Sequence, residues 1–159
     1  MNVQIIALGK LKEKYLVDAV KEYEKRISAY AKFSITELEP KWISENPLGA
    51  EISCALEQEA KEIIAKIPKN SLVIAMCIEG KQFSSVDFAK EIEKAGINGK
   101  SDIVFIIGSS YGLSDRVKKL ASIRMSMSEM TFPHQLARVM LVEQIYRAFT
   151  ILGHRKYHK

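Results

Sequence analysis

Cysteine is scarce in this chain. Only Cys54 and Cys77 occur, in unrelated contexts and without a C-x-x-C pair, so neither a disulfide framework nor a zinc site is indicated and a reducing, cytoplasmic setting is expected. Long apolar runs are missing as well. The longest covers about seven residues at 72–78, far short of the roughly 20 that a membrane span needs. The amino terminus lacks a charged stretch followed by an apolar run and a small-residue cleavage site, so secretion is not expected. Proline is confined to Pro40, Pro47, Pro68 and Pro133, and no linker, repeat or low-complexity segment interrupts the chain. What remains is 159 residues at 47% hydrophobic content, the size of one domain spanning 1–159 and large enough to bury roughly 70% of its unfolded surface.

Charge is unevenly placed. Residues 100–159 hold ten Lys and Arg against four Asp and Glu, whereas residues 1–99 hold fourteen against fifteen. A carboxyl-terminal excess of positive charge favours a polyanionic partner, because neutralising phosphates releases counterions; the plain alternative is a solvated basic face.

Periodicity predicts alternating strands and helices. Residues 3–8 read as a buried strand and 12–27 as a helix with Leu16, Ala19, Val20, Tyr23 and Ile27 on one face. Residues 33–38 alternate as a half-exposed strand does, and Pro40 and Pro47 then bracket a loop, expected to be mobile, that carries the only tryptophan, Trp42. Residues 52–67 return to helical spacing, 71–78 form a second buried strand, and Ser84 with Asp87 starts a helix ended near Gly96. Residues 102–107 make a third buried strand, followed by Gly108-Ser-Ser-Tyr-Gly112, a short helix capped by Ser114, a brief strand at 123–126 and a last helix opened near Pro133. Continuous apolar strands separated by helices imply an α/β fold whose parallel-rich sheet is covered on both faces.

The last helix is apolar around most of its circumference, with Arg138, Glu143, Gln144, Arg147 and Thr150 as the polar exceptions. Such a helix is either deep in one core or shared between subunits, and at this chain length a two-fold homodimer is expected.

Gly108 to Gly112 formally matches the G-x-S-x-G nucleophile elbow. Leu113 and the capping Ser114 delay the helix that an elbow serine must enter at once, and Asp115 and Glu129 are the only acids between that serine and His134. A serine hydrolase is therefore a rival to a simple glycine turn, and to a loop whose backbone approaches a ligand at the carboxyl end of the sheet. Gly99-Lys100-Ser101 is a turn, since Lys94 stands where a phosphate loop needs glycine, and Gly9 alone makes no dinucleotide fingerprint. All three histidines, His134, His154 and His158, fall in the last 26 residues, beside Tyr157, Arg155, Lys156 and Lys159. Groups titrating near neutrality and phosphate-binding cations thus share one end of the chain, in a pattern that also suits stacking on looped RNA.

These residues carry a resemblance. Gly9-Lys-Leu-Lys-Glu13, Gly80-Lys81, Ile106-Ile-Gly108 with Gly112-Leu113, Thr131-Phe-Pro-His-Gln135, Arg147-Ala-Phe149 and Tyr157-His158-Lys159 together resemble the large-subunit ribosomal RNA methyltransferase H family, a branch of the SPOUT methyltransferases. The resemblance runs the full length. It implies an S-adenosyl-L-methionine-dependent enzyme that methylates N3 of a pseudouridine in helix 69 of 23S rRNA in the assembled 70S ribosome. A carboxyl-terminal trefoil knot, a homodimer with its site at the subunit boundary, and no metal are also implied. By motif, Met76, Gly108, Gly112, Met127, Ser128, Glu129, Met130, Thr131 and Phe132 would hold the cofactor; His134, Tyr157 and His158 would serve catalysis; Arg155, Lys156 and Lys159 would bind RNA. Met76 stands where the family usually has leucine, and Lys159 where some relatives have arginine. A ribosome-binding or assembly factor without catalysis is the alternative of a different class.

Overall fold

The computed structural model describes residues 1–159. In chain order the elements are β1 (Asn2–Leu8), α1 (Lys14–Ile27), β2 (Lys32–Leu38), α2 (Gly49–Ala65), β3 (Leu72–Gln82), α3 (Ser85–Ile97), β4 (Asp102–Ile107), α4 (Asp115–Leu120), β5 (Ile123–Ser126) and α5 (His134–Leu152). The five strands form one sheet in the order β2-β1-β4-β3-β5, and every pairing is parallel. The α/β reading with helices on both faces is what the chain adopts.

Side-chain alternation divides the core. Val3, Ile5, Ala7, Ile103, Phe105 and Ile107 point to the face covered by α1, α3 and α5, while Ile6, Leu8, Val104 and Ile106 point to the face covered by α2 and α4. A strand's period of two makes both faces apolar only when the run is continuous, which is why the central strands read as unbroken hydrophobic stretches. No helix is long and apolar enough to cross a membrane.

Helix α5 packs against both α1 and α3, burying Leu141, Val142, Ile145, Ala148 and Phe149. Two of its expected polar exceptions are buried as well. Arg138 pairs with Glu37 and donates to the Gly9 carbonyl at 2.8 Å, and the Thr150 hydroxyl donates to the Arg147 carbonyl. Lying between two helices, α5 satisfies much of its apolar circumference within one chain, so its composition alone does not require a second subunit.

Two segments differ from expectation. Strand β3 runs four residues beyond the apolar stretch, through a register shift in which Met125 of β5 pairs with both Met76 and Lys81, leaving residues 77–80 bulged out. The loop after β2 is not free: the Lys41 amide donates to Glu59 at 2.9 Å, the Ser44 amide and hydroxyl donate to Glu51, and the Lys41 ammonium pairs with Glu62. Carboxylates on α2 thus hold the backbone on both sides of Trp42, where sequence suggested mobility.

Candidate active site

Because all five strands run the same way, their carboxyl ends and the loops that follow share one edge of the sheet. Open α/β sheets bind ligands there. Three loops meet around a cavity of about 770 Å³: the β3 bulge from Met76 to Glu79, the β4–α4 loop from Gly108 to Gly112, and the β5–α5 loop with Met127, Ser128, Met130, Thr131 and Phe132. Eight of the nine residues expected to bind a cofactor therefore wall one space. Glu129 is the exception; it belongs to the loop but does not line the cavity.

The β4–α4 loop is fixed by its own backbone. Ser109 and Gly112 form an isolated bridge, and the Gly112 amide donates to the Ser109 carbonyl at 2.8 Å. Gly108 makes that turn possible, since a Cβ there would stand 2.3 Å from the Gly112 carbonyl oxygen. The Ser109 hydroxyl donates to Glu59 at 3.2 Å, and Glu59 is only 2% exposed. No contact joins either serine of this loop to a histidine, and Ser110 faces solvent. The nucleophile-elbow reading fails here: the loop is a backbone turn anchored from α2.

His134, the first residue of α5, is on the cavity wall. A Cβ on Gly9 would lie 3.8 Å from its Nε2, so the β1–α1 loop abuts the imidazole. That loop is tied down twice, through Arg138 to the Gly9 carbonyl and by the Lys12 amide to the Gln135 side chain at 3.2 Å. Burial, followed by the nearby Arg138 and Lys12 charges, holds the His134 pKa below its ordinary 6.5. The physical cause is that a desolvated site beside cations penalises imidazolium. The neutral imidazole is the form this setting favours.

The tail is elsewhere. Helix α5 ends in a Schellman arrangement, in which Arg155 N–H donates to the Thr150 carbonyl and His154 N–H to the Ile151 carbonyl. His154 takes the left-handed position at φ 51° while Gly153 keeps a negative φ, so this histidine does structural work. The Tyr157 hydroxyl donates to Glu143 at 3.0 Å, and its ring packs edge-on against Tyr146 with the Arg147 guanidinium over its face. Arg147 also lies 3.4 Å from His158 Nδ1. Burial, then hydrogen bonds involving Tyr23 and Glu143, raise the Tyr157 pKa well above the usual phenol range. Glu143 follows His134 by nine residues, about 13 Å along a helix, so one chain does not gather His134, Tyr157 and His158. Arg155, Lys156 and Lys159 are exposed.

The full chain is matched by known proteins. Residues 1–158 match a family model described as "Predicted SPOUT methyltransferase". The ribosomal RNA large subunit methyltransferases H of Streptococcus thermophilus and Listeria monocytogenes are 52% and 48% identical to it, over all of both chains. The chain belongs to the SPOUT methyltransferase family. A probable methylase family protein from Haemophilus influenzae, 12% identical, shares the fold with a TM-score of 0.54 over 99% of this chain and 70% of its own.

SPOUT methyltransferases take the methyl group from S-adenosyl-L-methionine, which is the cofactor of this one. The cavity suits it: Met76, Ile107, Leu113, Met127 and Phe132 offer apolar surface to an adenine, Ser128 and Thr131 offer hydroxyls, and the Gly108 turn brings bare backbone to the wall. No group of three or more His, Cys, Asp or Glu stands where it could hold a metal ion. Sequence reasoning missed Cys77, Ile78, Glu79 and Lys118 on the wall. It also missed Glu59 behind it. The glycine at position 80, interrupting an otherwise strand-like run, was the available signal for the bulge.

Proposed function

We propose that this SPOUT methyltransferase modifies large-subunit ribosomal RNA, placing a methyl group on N3 of a pseudouridine in helix 69 of 23S rRNA within the assembled 70S ribosome, as a homodimer. The observation that carries the reading is the half-buried His134 on the wall of a glycine- and methionine-lined cavity at the carboxyl edge of the sheet. The substrate class is supported by relatives about half identical over their whole length that bear the name of a large-subunit rRNA methyltransferase.

Bound S-adenosyl-L-methionine supplies an electrophilic methyl group on a sulfonium. On taking that methyl group, N3 of the uracil-like ring would have to give up its proton. His134, uncharged and at the cavity, accepts it. Tyr157 does not, because a phenol whose pKa is raised keeps its proton at neutral pH; it orients by donating. A two-fold dimer would bring one subunit's Tyr157, His158 and exposed Arg155, Lys156 and Lys159 to its partner's cavity, which the separation of these residues from His134 within one chain favours. The trefoil knot belongs to the same reading. Strand β5 follows β4 in sequence yet pairs outside β3, where the bulge at 77–80 brings Gly80 close to the Arg124–Met125 backbone.

Transfer of labelled methyl from S-adenosyl-L-methionine is the direct test. Incorporation is expected at one pseudouridine of 23S rRNA in 70S ribosomes and far less in naked 23S rRNA; absence of label from any rRNA sinks the proposal. A pure ribosome-binding factor has no use for the donor cavity, and calorimetry with the donor separates the two.

His134→Gln is expected to lower kcat about a hundredfold, a usual share for a positioned base, with donor affinity retained. The neutral imidazole is the working form, and its lowered pKa keeps that form available as pH falls. The acid limb of kcat against pH therefore lies below 6.5, and a limb at or above that value assigns the proton to another group. Tyr157→Phe should lower methylation strongly while donor binding persists and leave that acid limb in place. Full activity would remove Tyr157 from the site.

A further inference from the structure

The geometry points to a subsite for the donor's α-ammonium group on the β4–α4 loop, where the Ser109 hydroxyl oxygen accepts from it and Glu59, buried behind the wall, fixes that hydroxyl as an acceptor. Donor recognition of this kind does not depend on which RNA is methylated. Glu59 is only 2% exposed, and its oxygens accept from two neutral groups, the Lys41 main-chain amide at 2.9 Å and the Ser109 hydroxyl at 3.2 Å. The Lys41 ammonium goes to Glu62 instead. A buried charge without a counter-charge is costly, so one wall of the donor cavity is backed by negative charge that an incoming cation would offset. The cavity's other carboxylate, Glu79, is already matched by Lys118 at 2.5 Å.

Ser109 carries that charge to the cavity it lines. Its carbonyl is taken by the Gly112 amide, and its hydroxyl hydrogen is committed to Glu59, because a carboxylate can only accept. The lone pairs of the hydroxyl oxygen are what remain. An acceptor backed by an anion favours a charged hydrogen-bond donor over a neutral one. S-adenosyl-L-methionine offers two positive groups, and the sulfonium has no hydrogen to give, whereas the α-ammonium is all donors. The adenine amino group can donate but is neutral.

Glu59→Gln tests the polarity with little change of shape. The new amide oxygen still accepts from the Lys41 amide, its NH2 donates to Ser109, and the hydroxyl hydrogen is turned toward the cavity, where it opposes an ammonium. Two thioether probes separate the ends of the donor by calorimetry on the full-length protein: S-adenosyl-L-homocysteine keeps the amino-acid end, and 5′-methylthioadenosine lacks it. Affinity for the first should fall roughly tenfold or more, the loss of one hydrogen bond to a charged group, while affinity for the second stays within about twofold. Removing a negative charge would strengthen binding of the probe's own carboxylate, so a loss reports the ammonium. A purely structural role for Glu59 would weaken both probes alike.

Ser109→Ala should reproduce the selective loss, and the double variant should bind no more weakly than either single one, since both changes remove the same interaction. If Glu59→Gln does not fold, Ser109→Ala with the two probes decides the question. Equal losses for both probes, or unchanged affinity for S-adenosyl-L-homocysteine in Ser109→Ala, overturn the inference. Additive losses in the double variant overturn it too, because Glu59 would then act on the site without Ser109.

Discussion

Gly108→Ala is expected to abolish donor binding while leaving the rest of the domain folded. The added Cβ would stand 2.3 Å from the Gly112 carbonyl oxygen and 2.5 Å from its carbonyl carbon, with Leu113 Cγ at 3.0 Å. Two of those three atoms are backbone, so no side-chain rotation relieves the clash. The turn must open, losing the hydrogen bond between the Gly112 amide and the Ser109 carbonyl and displacing the middle wall of the cavity. Overpacking of this kind costs about 1–3 kcal/mol in stability. Binding should suffer more, because a donor held between three loops loses one of them. A fall in affinity of at least about a hundredfold, or about 2.7 kcal/mol, is expected by calorimetry, and methylation should drop to background. Gly99→Ala is the matched control. That residue has φ 71° and nothing within 4 Å of its Cβ position, so it suffers backbone strain of about 1 kcal/mol far from the cavity and should bind donor normally. Equal affinity in Gly108→Ala and the unaltered protein would mean that the β4–α4 loop does not touch the donor.

The contrast between Gly108 and Arg138 illustrates what could be read from the chain alone. A glycine after a continuous apolar strand announces a tight turn by local rules, and the alternation of Val104 and Ile106 against Phe105 and Ile107 follows from strand geometry once both faces are covered. The layers and the helix and strand types were therefore legible. Arg138 was not. It is paired with Glu37, 101 residues away, and no local pattern distinguishes a buried, partnered arginine from a solvated one on a helix. Strand order is hidden for the same reason, since periodicity says which residues face a core but not which strand lies beside which. His154 is a third case. A histidine among basic residues reads as proton chemistry, yet it occupies the left-handed cap while the neighbouring Gly153, the residue local rules favour for that position, does not. The candidate site divides along the same line: its loop residues sit in local glycine and methionine patterns, whereas Glu59, holding Ser109 from behind, is a long-range contact.

Gly80→Ala should disrupt the fold itself. An added Cβ at this position would lie 2.6 Å from the Met125 carbonyl carbon and 2.7 Å from both the Arg124 carbonyl carbon and the Met125 nitrogen. These atoms surround the Arg124–Met125 peptide, so the β3 bulge rests directly on the backbone of β5. Gly80 has no unusual φ; the requirement is closeness of approach, not conformational freedom. Relief demands that the two strands separate where Met125 pairs with both Met76 and Lys81, and Met125 and Ser126 are themselves buried. With packing lost on both sides of this contact, a destabilisation of about 3–5 kcal/mol is expected, the upper range for single substitutions. In a domain of this length that lowers the unfolding midpoint by roughly 6–20 °C. Thermal unfolding measures the shift, and amide hydrogen exchange should locate it, with faster exchange in residues 123–127 before α1 or β2 responds. The donor should stabilise this variant less than the unaltered enzyme, because Met76 to Glu79 and Met127 wall the same cavity. An unchanged midpoint would mean that the bulge lifts away from β5 without penalty.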